Sequence, residues 1–206
     1  MDFNTIYGEA HCSFFEKKSE FIGHISPAKT ADEAVAFIEK IRSENRKATH
    51  NVYAYLLRNG HSSRYSDDSE PQGTAGVPVL DVIKKTELTD VCIVVTRYFG
   101  GVLLGAGGLV RAYSHAASIA INSAQIMIMR ACFRLDFSIE YNLFDKISHL
   151  LPDYEIKLIS TDFGSGVEIS LLVKADLCND LCQKLVDITN GRINICKSDE
   201  LFEDFG

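Results

Sequence analysis

The chain has 206 residues, 46% of them hydrophobic and 24% charged, with a formal net charge of −7. That length holds one large domain or two of about 100 residues, and the composition excludes extended disorder. No apolar run approaches the ~18 residues that span a bilayer. The opening MDFNTIYGEAHCSFF lacks the basic start and apolar stretch of a signal peptide, so a cytoplasmic protein with no membrane partner is expected.

The six cysteines are scattered through apolar segments and form no C-x-x-C pair. Zinc-ribbon and thioredoxin-like readings therefore lack their basic spacing, and reduced, buried thiols are expected. Charge is unevenly divided. Residues 1–130 carry 14 Lys and Arg against 14 Asp and Glu, whereas residues 131–206 carry 7 against 14. The acidic second part repels phosphate backbones, so any nucleic acid is expected on the first part.

From the N-terminus, His11 to Ala28 reads as two strands joined by a turn at KKSE. Thr30 and Glu33 form a capping box ahead of Ala34, Phe37, Ile38 and Ile41 at helical spacing. A strand follows from Asn51 to Leu57, then a polar turn at Asn59-Gly60 and a loop from His61 to about Gly76. Val77 to Thr86 is predicted to be a short helix. Val91 to Thr96 (VCIVVT) is predicted to be a central strand buried on both faces. Leu109 to Ser123 is an Ala-rich helix with Arg111, Ser114, His115, Ser118 and Asn122 on one face.

The last third has its own order: strand Cys132–Ile139, helix Asn142–Leu151 ended by Pro152, and a hairpin of 156–163 and 167–174 around Gly164-Ser165-Gly166. Helix Asp176–Thr189 and strand Arg192–Cys196 complete it, with an acidic tail from Asp199 expected to fray. The pattern βαββαβ is ferredoxin-like. The fold class is thus α+β in two domains, 1–130 and 131–206.

Three segments carry residues suited to chemistry. In Val94–Ala116, a buried strand ends at Arg97, Tyr98 follows, and Gly100, Gly101, Gly105, Gly107 and Gly108 lead into a helix that carries Arg111. Glycines let a ligand approach the backbone, and amides at a helix start hold anions. A tight strand-to-helix connection accounts for the same glycines. The P-loop lysine is missing, and Val110 stands where the dinucleotide fingerprint needs a small residue. In Tyr65–Leu80, Asp67, Asp68 and Glu70 are suited to acid–base work, to a divalent metal or to capping a helix, and Gly73-Thr74 offers a second close backbone. His50 opens the strand of the third segment. No nucleophile elbow is present, and neither a cofactor nor a metal is expected.

These segments, with KSEFIG at Lys18–Gly23, resemble the YigZ/IMPACT family over essentially the whole chain. The carriers are TRYFGG, LGAGGLVRAY and DDSEPQGTAG. The resemblance implies an N-terminal domain similar to domain IV of elongation factor G, with a ribosomal-protein-like β-α fold. It also implies a ferredoxin-like C-terminal domain similar to domain V of that factor. Two positions depart from the family pattern: Ser69 stands where Gly is usual, and Leu103 where Lys is common. The resemblance implies a non-enzymatic role in regulating translation, binding RNA, the ribosome or a translation-linked protein through the N-terminal domain. No DNA sequence reader is expected. The alternative is a phosphate-ligand-binding protein or enzyme that joins the glycine-rich loop to His50, Asp67, Asp68 and Glu70.

Overall fold

The computed structural model describes residues 2–58 and 62–206; the predicted Asn59-Gly60 turn lies outside them. The chain packs into two compact units, Phe3–Met127 and Ile128–Gly206 together with Asp2.

The N-terminal unit contains β1 (Phe3–Tyr7), β2 (Ala10–Glu16), β3 (Ser19–Pro27), α1 (Ala31–Glu44), β4 (His50–Leu57), β5 (Ser62–Ser66), α2 (Gly76–Lys85), β6 (Val91–Tyr98) and α3 (Ala106–Ser123). Its five-stranded sheet runs β2-β3-β6-β4-β5, antiparallel throughout. β6 is the middle strand, and all but its last residue are buried. Alternate side chains explain why it shows no polar alternation. Ile93 and Val95 join the core under α2 and α3, whereas Cys92 and Val94 join the core under α1. α1 starts at the expected cap, where Thr30 Oγ1 accepts from the Glu33 amide at 3.2 Å, but Glu33 reaches one residue further back than a capping box does and accepts from the Lys29 amide. α3 lies so close to β3 that a Cβ on Gly23 would stand 2.4 Å from the Ala116 carbonyl oxygen, which is why that helix presents alanines to the sheet.

β7 (Gln125–Ile139) runs unbroken through residue 130, from the first unit into the second. The C-terminal unit continues with α4 (Tyr141–Leu150), a 3-10 turn (Leu151–Asp153), β8 (Ile156–Phe163), β9 (Val167–Lys174), α5 (Ala175–Ile188), β10 (Ile195–Lys197) and β11 (Leu201–Asp204). Pairings of β10 with β7, β7 with β9 and β9 with β8 place the βαββαβ strands in the spatial order 4-1-3-2 of the ferredoxin-like arrangement. Leu135, Phe137, Ile169 and Leu171 pack against Ile147, Leu181 and Leu185 of the two helices.

Five elements differ from expectation, the first being β7, which begins at Gln125 rather than Cys132. The stretch read as loop after residue 61 contains β5, a polar edge strand (SSRYS) held by its backbone to β4. β1 went unread. β10 begins at Ile195 rather than Arg192. The tail does not fray, because residues 201–204 pair antiparallel with 129–132. Main-chain pairing of polar edges leaves little side-chain pattern to read. All six cysteines are free, and burial pushes the Cys92 thiol up to about 12. No helix among the described residues is long and apolar enough to cross a membrane.

Candidate functional site

The register of the central sheet sets His50 opposite Arg97, with both side chains on the face covered by α3. Glu70 reaches them from the loop that precedes α2. Its Oε1 accepts from Arg97 Nη1 at 2.6 Å and from the Tyr113 hydroxyl at 2.7 Å. His50 Nε2 stands 3.8 Å from the same oxygen. His50 Nδ1 lies 2.7 Å from the Asp68 carbonyl. A carbonyl oxygen only accepts, so Nδ1 carries a proton there and donates it. Glu70, Arg97 and Tyr113 are buried. The guanidinium also lies over the rings of Phe21 and Phe99, at 5.3 and 5.4 Å. Burial, then the Glu70 carboxylate, raises the Tyr113 phenol above its ordinary range, so it stays a donor. Each formal charge in this cluster has an opposite partner, as a buried charge requires.

The neighbouring acids are engaged as well. Asp67 accepts from the amides of Gly73, Ala75 and Gly76 at 2.8–3.0 Å, capping α2 from outside the helix. Asp68 accepts from the Asn51 amide at 2.6 Å and from Arg42 at 3.4 Å. Thr74 Oγ1 donates to the Pro71 carbonyl. Asp68 and Ser69 both hold positive φ, +44° and +70°. This is the conformation for which glycine is the default, and it gives a physical reason for glycine as the usual residue at Ser69. Among the described residues, no group of three or more His, Cys, Asp or Glu is arranged to hold a metal ion.

The glycine-rich segment turns the other way. A Cβ on Gly100 would lie 1.9 Å from the Lys18 carbonyl oxygen, so this glycine lets the loop touch the β2–β3 turn, and its amide donates to Ser19 Oγ. Gly101 and Gly105 take positive φ; Gly107 and Gly108 form the first turn of α3. Tyr98 leaves this cluster altogether, donating from the opposite sheet face to Asn45 at the end of α1. Arg111 is exposed. It lines a cavity of about 250 Å³ with Phe14, Glu16, Lys17, Leu104 and His115. The expected residues thus fall into two groups. His50, Asp68, Glu70 and Arg97 meet in one network, in which Arg97 Nε is buried without a hydrogen-bond partner, and Asp67 beside them holds the amides of residues 73–76. Arg111, with Gly108, meets the β2–β3 turn.

Three contributors were not read from the sequence. Tyr113 was hidden on the alanine face of its helix. Ser19 was hidden in the KSEFIG run. The buried pair Thr96–Asn51, joined at 2.8 Å, lies on the far face of the sheet. The signal for Tyr113 was present: it is the sole side chain on the buried face of α3 with a hydroxyl that needs a partner.

Comparison with known proteins agrees with this architecture. Residues 17–121 match the Impact N-terminal domain, and residues 137–192 match a domain of unknown function, DUF1949. The chain is 40% identical over 180 residues to IMPACT family member YvyE of Bacillus subtilis, covering 87% of this chain and 83% of that protein. It is 30% identical over 187 residues to IMPACT family member YigZ of Escherichia coli, covering 89% and 92%. Protein IMPACT of Rattus norvegicus shares 34% identity over 95 residues, 44% of this chain and 30% of that longer one. A crystal structure described as that of a hypothetical protein superposes with a TM-score of 0.63 at 28% identity, covering 94% and 96%. With one characteristic domain in each unit and such relatives along most of its length, the chain belongs to the IMPACT family.

Proposed function

We propose that this protein is a non-enzymatic regulator of translation that binds RNA of the translation apparatus through the glycine-rich end of its N-terminal unit. The observation that carries the reading is the state of the charges there. Lys17, Lys18 and Arg111 are exposed and have no ion partner among the described residues. Phe15, Phe99 and Leu103 are exposed on the hairpin and loop that carry them, and the two segments touch at Gly100. Free cations beside exposed aromatic rings are what single-stranded RNA uses, phosphates on the one and stacked bases on the other. Of the acids nearby, Glu70 is buried and Asp67 and Asp68 are held by hydrogen bonds, while Glu16 and, in part, Glu20 stay open to solvent. Family membership supports the link to translation.

Three phosphate contacts give a salt slope of about −2 for a single strand, or roughly a 20-fold loss of affinity between 50 and 200 mM salt. The test is co-sedimentation with ribosomes at low salt, comparing the parent protein with Lys17→Glu/Lys18→Glu/Arg111→Glu. Loss of the protein from the ribosome pellet in the triple variant, with its circular dichroism unchanged, is the expected result. Equal pelleting of parent and variant removes the reading.

A further inference from the structure

The sheet of the C-terminal unit buries one face under α4 and α5 and turns a polar face the other way. On that face the register aligns Asp162, Glu168 and Ser138 in one row and Ser160, Ser170 and Asp136 in the next. Three features of this patch have no structural use. First, Asp162 and Glu168 are direct cross-strand neighbours, an arrangement of like charges that destabilises a sheet. Neither has an ion pair or hydrogen bond among the described residues. Second, Ser170 is 5% exposed and its hydroxyl makes no hydrogen bond of normal geometry. It lies near enough to Asp136 to help Arg134, the larger influence, hold that carboxyl below the usual range. Third, a cavity of about 300 Å³ joins these groups, lined by both carboxylates, the three serines and the Arg134–Asp136 ion pair, which neutralises itself and leaves Asp162 and Glu168 as the unpaired charges.

The geometry points to a docking site for an arginine side chain of a basic peptide, seated between Asp162 and Glu168. Cross-strand side chains stand about 5 Å apart at Cβ. A planar guanidinium offers five N–H donors in a fork, enough to bridge two carboxylates and still donate to a hydroxyl. A compact metal ion suits the patch poorly, because these acids are not arranged at ligand geometry. Nucleic acid is repelled, since residues 131–206 carry 14 acids against 7 bases. A peptide is favoured over a free amine by the adjoining strand. β8 is paired on one side only and exposes Leu158 and Ile159, so an extended chain anchored by its arginine has an edge to pair with and apolar side chains to cover. This site is independent of the RNA reading, which concerns the other unit.

The test uses the full chain and a fluorescent, end-capped peptide of alternating Arg and Val, read by anisotropy at 50 mM salt. The same peptide with citrulline for arginine keeps the shape without the charge. Tenfold or greater weakening in Asp162→Asn/Glu168→Gln is expected, with a thermal transition no lower than the parent's because a repulsion has been removed. Neutralising two tail acids, Asp199→Asn/Glu200→Gln, changes affinity less than twofold. The inference is overturned by any of four results: equal binding of the citrulline peptide, equal weakening in the tail variant, spermidine binding as tightly as the peptide, or calcium ions displacing the peptide at micromolar concentration.

Discussion

Removing the Glu70 side chain tests the buried network most directly. Glu70→Ala leaves the Arg97 guanidinium, 5% exposed, with no countercharge, and leaves the fully buried Tyr113 hydroxyl with no acceptor. Two unit charges about 4 Å apart attract by ~4 kcal/mol at an effective dielectric of 20. Breaking one side of such a pair costs about 3–5 kcal/mol, because the remaining charge is stranded. The lost hydroxyl bond adds roughly 1 kcal/mol. Two compact units need not unfold together, so the measurement must report on the N-terminal unit alone. Hydrogen exchange of β6 and α3 peptides in increasing urea does so, and a fall of about 3–5 kcal/mol in their opening free energy is expected. Glu70→Met/Arg97→Met removes both charges and should recover at least half of the loss, since an apolar pair of similar volume replaces a buried ion pair at little cost. A single-variant loss below about 1 kcal/mol, or a double variant worse than the single, refutes the reasoning, for then the pair is solvated and not a buried lock.

Ser69→Gly relieves a left-handed residue, worth ~1–2 kcal/mol, against the chain entropy of a new glycine of ~0.5–1 kcal/mol. A net gain of about 0.5–1 kcal/mol is expected, seen as a rise of roughly 2–6 °C in the transition of the N-terminal unit; a fall refutes it. Gly100→Ala drives a Cβ into the Lys18 backbone, where no side chain is free to move aside. It should cost about 2–4 kcal/mol and expose the β2–β3 turn to proteolysis, whereas an unchanged digestion pattern would place the loop elsewhere. Burial, helped by the neighbouring His11, lowers His24 to about 4. As pH falls from the unfolded value near 6.5, the unfolded chain takes up a proton that the native ring refuses. Stability complete above pH 6.5 is therefore lost progressively towards pH 4. For this half-buried ring, solvent screening limits the loss to about 1–2 kcal/mol. Urea midpoints at pH 7 and 4.5 should converge in His24→Asn relative to the parent, and identical slopes would discard the assignment.

Elements with a repeating side-chain signal were legible. Thr30 caps α1 as its spacing from Glu33 announced, with Glu33 reaching back to Lys29, and VCIVVT is the buried central strand, although its neighbours are antiparallel. The ferredoxin-like order followed from turn chemistry and apolar periods. β5 and β11 were not legible, because an edge strand held by main-chain bonds needs no apolar face. The site was half legible. The residue types of the acidic loop announced a polar cluster, but local sequence carries no direction. Whether Asp67 faces a metal, a ligand or the amides of α2 depends on where residues 73–76 return. Likewise Arg97 and Arg111 look alike as brackets of one glycine run. One lies on a strand face closed by α3, and the other on the open face of α3 itself.

That division separates two kinds of effect that a mutational screen of this family segment would otherwise mix. The acids of DDSEP each hold a different part of the scaffold: Asp67 the start of α2, Asp68 Asn51 and Arg42, and Glu70 Arg97 and Tyr113. If the protein binds RNA as proposed, changing any of them alters binding only by loosening the scaffold. Lys17, Lys18 and Arg111 hold nothing together among the described residues; changing them leaves stability within about 0.5 kcal/mol, as for other surface positions. The glycines couple the two sets, because Gly100 lets the loop from Arg97 rest on the turn that carries Lys17 and Lys18. Glu70 fixes Arg97 at the end of β6, and so fixes where the loop leaves the sheet and meets that turn. Glu70 therefore acts on the exposed cations by placing them.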